Sequence, residues 1–458
     1  MKKMMAMLLT GAMVLSLAAC GNDSSGSAPA ESSSQPSGDS SEAAEFGAEE
    51  SAPAESSGPV TLNVTTTFAG EDTNAQNYQD AIAAWQDETG NKINDASGSS
   101  SETFKARVIS DFEMGSEPDV LFYFNGVDSN PFVEAEKVVS IDEIRQTYPD
   151  YATNMKDGMM GASPVDGKNY SVPVNGYWEG LFVNKAVCEA AGVEIPTADT
   201  TWDEFMDICQ KIKDAGYTPI ATSFAEIPHY WFEFCIYNYL TPATHNILPG
   251  SADDEHGQAW ISGIGDMKVL YEKGFLPENT LSATDGETFQ LFIDGKAAFL
   301  IDGSWKVGGI EGATDDVDNF TVTYVPGKGE RKSTDIIGGL SSGWYITKKA
   351  WDDPEKQKAC VEFISYMTSD EMVSKFASVS ATALNNGTQV DESQLSSLAV
   401  AGLDMVAGAT GMAGAVQDQV TQEARVPVFN GMPDIVTGKA DIKEAVEELL
   451  KLVAEGQQ

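Results

Sequence analysis

A chain of 458 residues with 42% hydrophobic and 21% charged side chains is globular in composition and too long for one simple core, so two lobes are expected. Seventy acidic residues against 28 basic ones give a net charge of −42, which argues against nucleic acid or anionic headgroups as partners. Five scattered cysteines (Cys20, Cys188, Cys209, Cys235, Cys360) form no CxxC pair and make no disulfide framework.

Residues 1–19 have the build of an export signal, with Lys2 and Lys3 followed by an apolar stretch, Met4 to Ala19, too short to span a bilayer comfortably. Leu17-Ala18-Ala19-Cys20-Gly21 resembles a lipobox. That resemblance implies cleavage before Cys20, diacylglycerol on its thiol and a further acyl chain such as palmitate on its amine. At about 0.8 kcal/mol per buried methylene, two or three chains give a stable anchor. Residues 21–58 are rich in Ser, Gly, Ala, Pro and Glu, lack Lys and Arg, and hold one aromatic, Phe46. They cannot bury enough surface to offset ordering entropy, which predicts a disordered tether with a span of roughly 35 Å.

The folded part opens with Val60-Thr61-Leu62-Asn63-Val64, an alternating strand. Tyr78, Ile82 and Trp85 share one helix face, and Gly90 stops that helix. Ser99-Ser100-Ser101-Glu102 reads as a capping box for a helix carrying Phe104, Val108 and Phe112. Val120 to Phe124 is a continuous apolar run suited to a strand buried on both faces. Strand, helix and strand in this rhythm predict a parallel α/β lobe. Thr201-Trp202-Asp203-Glu204 is a second capping box, with Trp202, Phe205, Ile208 and Ile212 on its apolar face and Cys209 buried nearby.

An apolar helix runs from His229 through Leu240, and residues 241–258 read as an irregular insertion. The stretch Phe289 to Trp305 follows: a helix end, a turn at Asp294-Gly295, an apolar strand from Ala297 to Ile301, and a second turn at Asp302-Gly303. That turn delivers Ser304 and Trp305 at the carboxyl edge of the strand, where open α/β sheets hold ligands. Phe320 to Val325 reads as a strand returning to the first lobe. Asp353-Pro354 starts a helix with Cys360, Phe363, Ile364 and Met367, and Ile442, Val446, Leu449 and Val453 make an amphipathic closing helix.

The chemistry of an enzyme is missing. His229, His245 and His256 form no ligand pair, and no HExxH, GxSxG, P-loop or GxGxxG motif occurs, so neither a cofactor nor a metal is expected. Asp253-Asp254-Glu255 and Asp315-Asp316 lack EF-hand spacing and read as solvated turns. What remains is aromatic and polar groups at strand ends: Tyr177-Trp178, Tyr230-Trp231, Ser304-Trp305 and Ser342-Gly343-Trp344. Glu226, Asn125 and the Thr65–Thr67 loop, Thr67 included, are the polar candidates. Flat rings beside planar hydrogen-bonding side chains suit the apolar faces and hydroxyl edges of a carbohydrate. Two alternatives stay open: a polyamine or other cation, which the acidity would suit, and hydrolysis of glycosides by a spaced carboxylate pair.

The segment Phe292 to Trp305 resembles the "F-x-x-G-K-A-A-M-x-x-x-G-S-W" signature of family 1 extracellular solute-binding proteins, the sugar receptors of bacterial ABC importers, with Phe299 in the usual Met position. Tyr170 to Lys185 is similar to the family's "Y-x-V-P…G-L-x-Y-N-K" segment. Pro118-Asp119-Val120, Thr201 to Glu204 and Gly338 to Thr347 match as well, and residues 380–440 match least. The resemblance implies an α/β, two-lobe, periplasmic-binding-protein-like fold of type II, each lobe a mostly parallel sheet flanked by helices. The implied division is signal 1–19, lipidated tether 20–58, N-lobe 59–172 and 325–379, and C-lobe 173–324 and 380–458. Hinge crossings are expected at residues 172–175 and near Tyr324-Val325. The implied function is capture of a carbohydrate and its delivery to an ABC permease by a monomer. Its implied place is the outer face of the cell membrane, held there by the lipid anchor as in a Gram-positive receptor.

Overall fold

The computed structural model describes residues 58–155, 160, 163, 165–226, 229–377, 393 and 395–456. The expected signal segment, Cys20 and the tether up to residue 57 lie outside the described residues. The described strands are β1 (Thr61–Thr65), β2 (Lys92–Asp95), β3 (Val120–Phe124), β4 (Tyr177–Asn184), β5 (Thr218–Ile220), β6 (Ala297–Gly303), β7 (Phe320–Thr323), β8 (Asp335–Gly339), β9 (Ser342–Ile346) and β10 (Gly411–Ala413).

Two sheets result. The first has the order β2-β1-β3-β9, with β1 parallel to β2 and β3 and only β9 antiparallel. Its inner residues Leu62, Val64, Val120 and Phe122 join Trp85, Trp344, Phe363 and Phe376 in one core. The second has the order β10-β8-β4-β6-β5, with β7 paired to β4. It is mixed rather than mostly parallel, because β4 runs antiparallel to β6, β7 and β8. One face of β4, carrying Leu181 and Val183, packs on the helices Trp202–Asp214, His229–Tyr237 and Glu255–Glu272. The other, carrying Trp178 and Phe182, packs with residues of the helices Asp285–Ile293 and Ser397–Ala407.

Local signals behave as their chemistry requires. Thr201 and Glu204 close a full reciprocal capping box, and Asp353 caps a helix with Pro354 in its first turn. At the Ser99–Glu102 pattern the outcome differs. Ser101 is the cap and accepts the Phe104 N–H, while Glu102 turns away to a distant arginine. With the cap at Ser101, Glu102 is the first helical residue and not the third, so the reciprocal bond of a capping box cannot form.

The return crossing also differs from expectation. Phe320–Thr323 stays in the second sheet against β4, as does β8, so the chain passes back to the first sheet between β8 and β9, at Leu340-Ser341. Phe320 and Val322 are buried with Phe292 and Leu398, and that packing holds the strand in place. The two crossings lie side by side: Val172 and Trp344 exchange backbone hydrogen bonds at 3.0 and 2.8 Å, and Tyr177 faces Gly339. Asn125 ties both of them to the end of β3. Its Oδ1 accepts from Ser171 Oγ at 2.6 Å and from Tyr345 Oη at 2.7 Å, and its N–H donates to the Ser341 carbonyl at 2.7 Å. Among the described residues no helix is long and apolar enough to cross a membrane.

Candidate functional site

Trp305 ends the turn after β6 and opens the helix Lys306–Ala313. Its indole folds back across Gly303, where a β-carbon would fall 2.2 Å from the ring, so only glycine leaves room. The ring is half-buried and stands between two tyrosines, its centroid 6.0 Å from that of Tyr177 and 5.5 Å from that of Tyr230. Tyr177 is held at its far end, where the Oη accepts the Ala415 N–H at 3.2 Å. Three half-buried rings therefore stand together at the end of the second sheet.

The polar lining is acidic. Glu179 lies two residues beyond Tyr177 on β4, hence on the same face, and sits opposite Gly303. Burial, then the nearby carboxylates of Glu233, Asp418 and Asp302, push its carboxyl well above the ordinary range. Burial likewise raises Asp302 from 3.8 to about 7 and Asp418 from 3.8 to about 6. Glu233, fully buried behind them, accepts from the Val416 and Gln417 N–H groups at 2.9 and 2.7 Å and lies 2.8 Å from His245 Nε2.

A pH dependence follows. An acid whose folded pKa is raised contributes stability that is full below its unfolded pKa and is lost as pH rises through the folded one. For Asp302 and Asp418 that loss runs from about pH 4 to about pH 7. The ligand-free protein should melt higher at about pH 5.5 than at about pH 7.5, and Asp302→Asn should flatten the difference. A wild-type melt that rises with pH over that window would contradict this assignment.

Two seams join the two lobes beside the rings. At the first, the Thr73 N–H donates to the Trp305 carbonyl at 3.1 Å, and its hydroxyl donates to the carbonyls of Ser304 and Trp305, both at 3.0 Å. Gly308 donates back to Thr73 Oγ1 at 2.9 Å, and a β-carbon there would strike Thr73 Cα at 2.7 Å. Lys306 reaches Glu71 at 3.0 Å, Asp285 at 3.7 Å and Asp302 at 4.0 Å. At the second, Arg425 grips Glu102 at 3.0 and 3.1 Å and Asp128 at 3.2 Å, while Lys105 meets Asp128 at 2.7 Å. Burial opposes ionisation of Asp128, but Lys105 and Arg425 outweigh it and hold the carboxyl below its usual range.

The expected site residues divide. Trp305, Tyr177 and Ser304 come together, Ser304 through its backbone. Glu226 lies at the rim, where its Oε2 accepts the Asp285 N–H at 2.6 Å. Thr67 is buried in the loop after β1, and Asn125 serves the crossings. Three tryptophans are corrected to core. Trp178 is 1% exposed because strand alternation turns it from Tyr177 onto Gly402, and Trp231 is 2% exposed because the helix turns it inward from Tyr230. Trp344 is fully buried among Phe68, Tyr78, Phe122 and Phe363. Trp344→Ala should therefore cost about 3–5 kcal/mol of folding stability and leave solute affinity of the folded fraction unchanged, as unfolding curves and titration calorimetry would show. Glu179 and Asp302 stand at unspecified positions of the two matched segments, and Asp418 lies in no motif. Only the two-residue spacing from Tyr177 hinted at Glu179.

Two α/β sheets joined by paired crossings, with a cluster of rings and carboxyl groups where they meet, form a two-lobe hinged architecture. The sequence profile of the bacterial extracellular solute-binding protein family matches residues 69–373, and the chain belongs to that family. It is 24% identical over 290 residues to the multiple sugar-binding protein of Streptococcus mutans serotype c, covering 60% of this chain and 63% of that one. It is 25% identical over 231 residues to the sn-glycerol-3-phosphate-binding periplasmic protein of Rhizobium meliloti, covering 48% and 50%. The match thus spans about half to three fifths of these relatives. The solved chitin oligosaccharide binding protein superposes with a TM-score of 0.73 at 19% identity, over 87% of this chain and 98% of that one, a likeness of fold.

Proposed function

We propose that this protein is the solute receptor of a bacterial ABC importer, closing on a carbohydrate and presenting it to the permease without covalent chemistry. The observation that carries the reading is the half-buried Trp305 between Tyr177 and Tyr230, a set of flat faces with carboxyl groups beside them. The first relative binds sugars by its name, and this lining agrees with it. The second names a phosphate ester, and the lining does not: Lys306, Lys105 and Arg425 are all engaged with acids. Closure follows from differential affinity, since a solute touching both lobes stabilises only the shut form. The lobes are taken as residues 59–172 with 341–379, and 173–340 with 380–458, acting as a monomer held to the membrane through Cys20.

A thermal-shift screen of mono- and oligosaccharides, with chromatography of the same mixtures, tests this. Sugars should raise the melting temperature and be recovered intact. New sugars in the mixture would make the protein a hydrolase, and no shift with any sugar would remove carbohydrate as the solute. In the native host, Cys20→Ala should move the processed protein from the membrane to the soluble fraction. Retention of a processed variant on the membrane would refute the anchor.

A further inference from the structure

Among the described residues, the carboxyl groups beside the three rings are not matched by free cations. Lys306 is committed to Glu71, Asp285 and Asp302, and Lys105 and Arg425 to Asp128 and Glu102. Glu233 is satisfied by two backbone N–H groups and His245. Glu179 has no such support. It is 1% exposed, and its Oε2 has no hydrogen-bond partner among the described residues. The charged groups acting on it are Glu233, Asp418 and Asp302, all acids.

Register shows where Glu179 points. Tyr177 and Glu179 share one face of β4, and Gly303, directly opposite Glu179, is the residue across which the Trp305 indole lies. The unpartnered carboxyl therefore stands at the foot of the three rings. A buried carboxylate without a partner is costly, and a site of this kind favours whatever supplies both charge and donors. A neutral hydroxyl offers one donor and no charge, so Glu179 would meet it as the neutral acid that its burial favours. An ammonium offers three donors and a positive charge, and the faces of Trp and Tyr attract it besides.

We propose that the solute is an amino sugar or an oligosaccharide bearing a free amine, its protonated nitrogen seated on Glu179 between Tyr177, Tyr230 and Trp305. This rests on the carbohydrate reading above and narrows it. The test is calorimetry at neutral pH with matched ligands: glucosamine oligomers, their N-acetylated counterparts, cello-oligosaccharides of the same length, and spermidine. Wild type should bind the free amines at least about tenfold more tightly than the acetylated or neutral sugars. Glu179→Gln, nearly isosteric, should lose that preference while its melting temperature shows that it folds. Equal or tighter binding of the neutral sugars by wild type overturns the inference but keeps carbohydrate capture. A preference that survives in a folded Glu179→Gln also overturns it. Binding of spermidine alone, or of none of the four, overturns it through failure of the carbohydrate reading itself. The comparison within wild type stands even if the variant does not fold.

Discussion

Trp305→Ala should weaken solute binding by at least about 2 kcal/mol, roughly a thirtyfold rise in Kd, with the apo melting temperature shifted by only a few degrees. The indole is half-buried, and it stands against Gly303 and the tilted rings of two tyrosines. Its removal forfeits ring contacts in the empty protein, worth about 0.5–1.5 kcal/mol each, but opens no sealed void. A core tryptophan would behave differently, costing about 3–5 kcal/mol of stability. Calorimetric titration beside an apo melt separates the two. A collapsed melt with affinity retained at low temperature would mean that Trp305 is packing and that the rings of Tyr177 and Tyr230 do the recognising.

Arg425→Ala should act on closure. In a rigid interior, removing one partner of a buried ion pair costs about 3–5 kcal/mol, because the remaining charge stays buried. Here Glu102 and Asp128 can escape that penalty if the lobes part and water returns to them. The loss therefore falls on the shut form, and the apparent affinity should drop by up to about a hundredfold as the competent fraction shrinks. Small-angle scattering at saturating ligand should give a larger radius of gyration than wild type, with a modest change in melting temperature. An unchanged radius and an unchanged Kd together would show that this seam does not govern closure.

Much of the fold could be read in the chain because its local rules agree with one another. The alternating run from Val60 yields the strand Thr61–Thr65, and Thr201–Glu204 caps a helix reciprocally; the turn expected at Asp302-Gly303 falls instead at Ser304-Trp305, because Asp302 and Gly303 continue β6 by pairing with β4. The site was legible only in part. Alternation places Tyr177 and Trp178 on opposite faces, but which face meets the site depends on helices packed from far along the chain. Arg425 finds Asp128 and Glu102 across 297 and 323 residues, and no local pattern encodes that pairing. The return crossing was misplaced for the same reason. A four-residue strand with Phe320 and Val322 inward fits either sheet, and only its pairing with β4 decides.

The first seam has a consequence for how such a receptor can diverge. Across it, Thr73 meets Ser304, Trp305 and Gly308 through their main-chain carbonyls and amide, while the Trp305 ring stands between Tyr177 and Tyr230. One residue thus fastens with its backbone and tastes with its side chain, and the two tasks are inherited separately. Mutation at position 305 can alter what is captured without unfastening the latch, so duplicated copies of the gene could drift toward new nutrients while keeping the same way of shutting. Gly308 has no such latitude, since any side chain there would collide with Thr73.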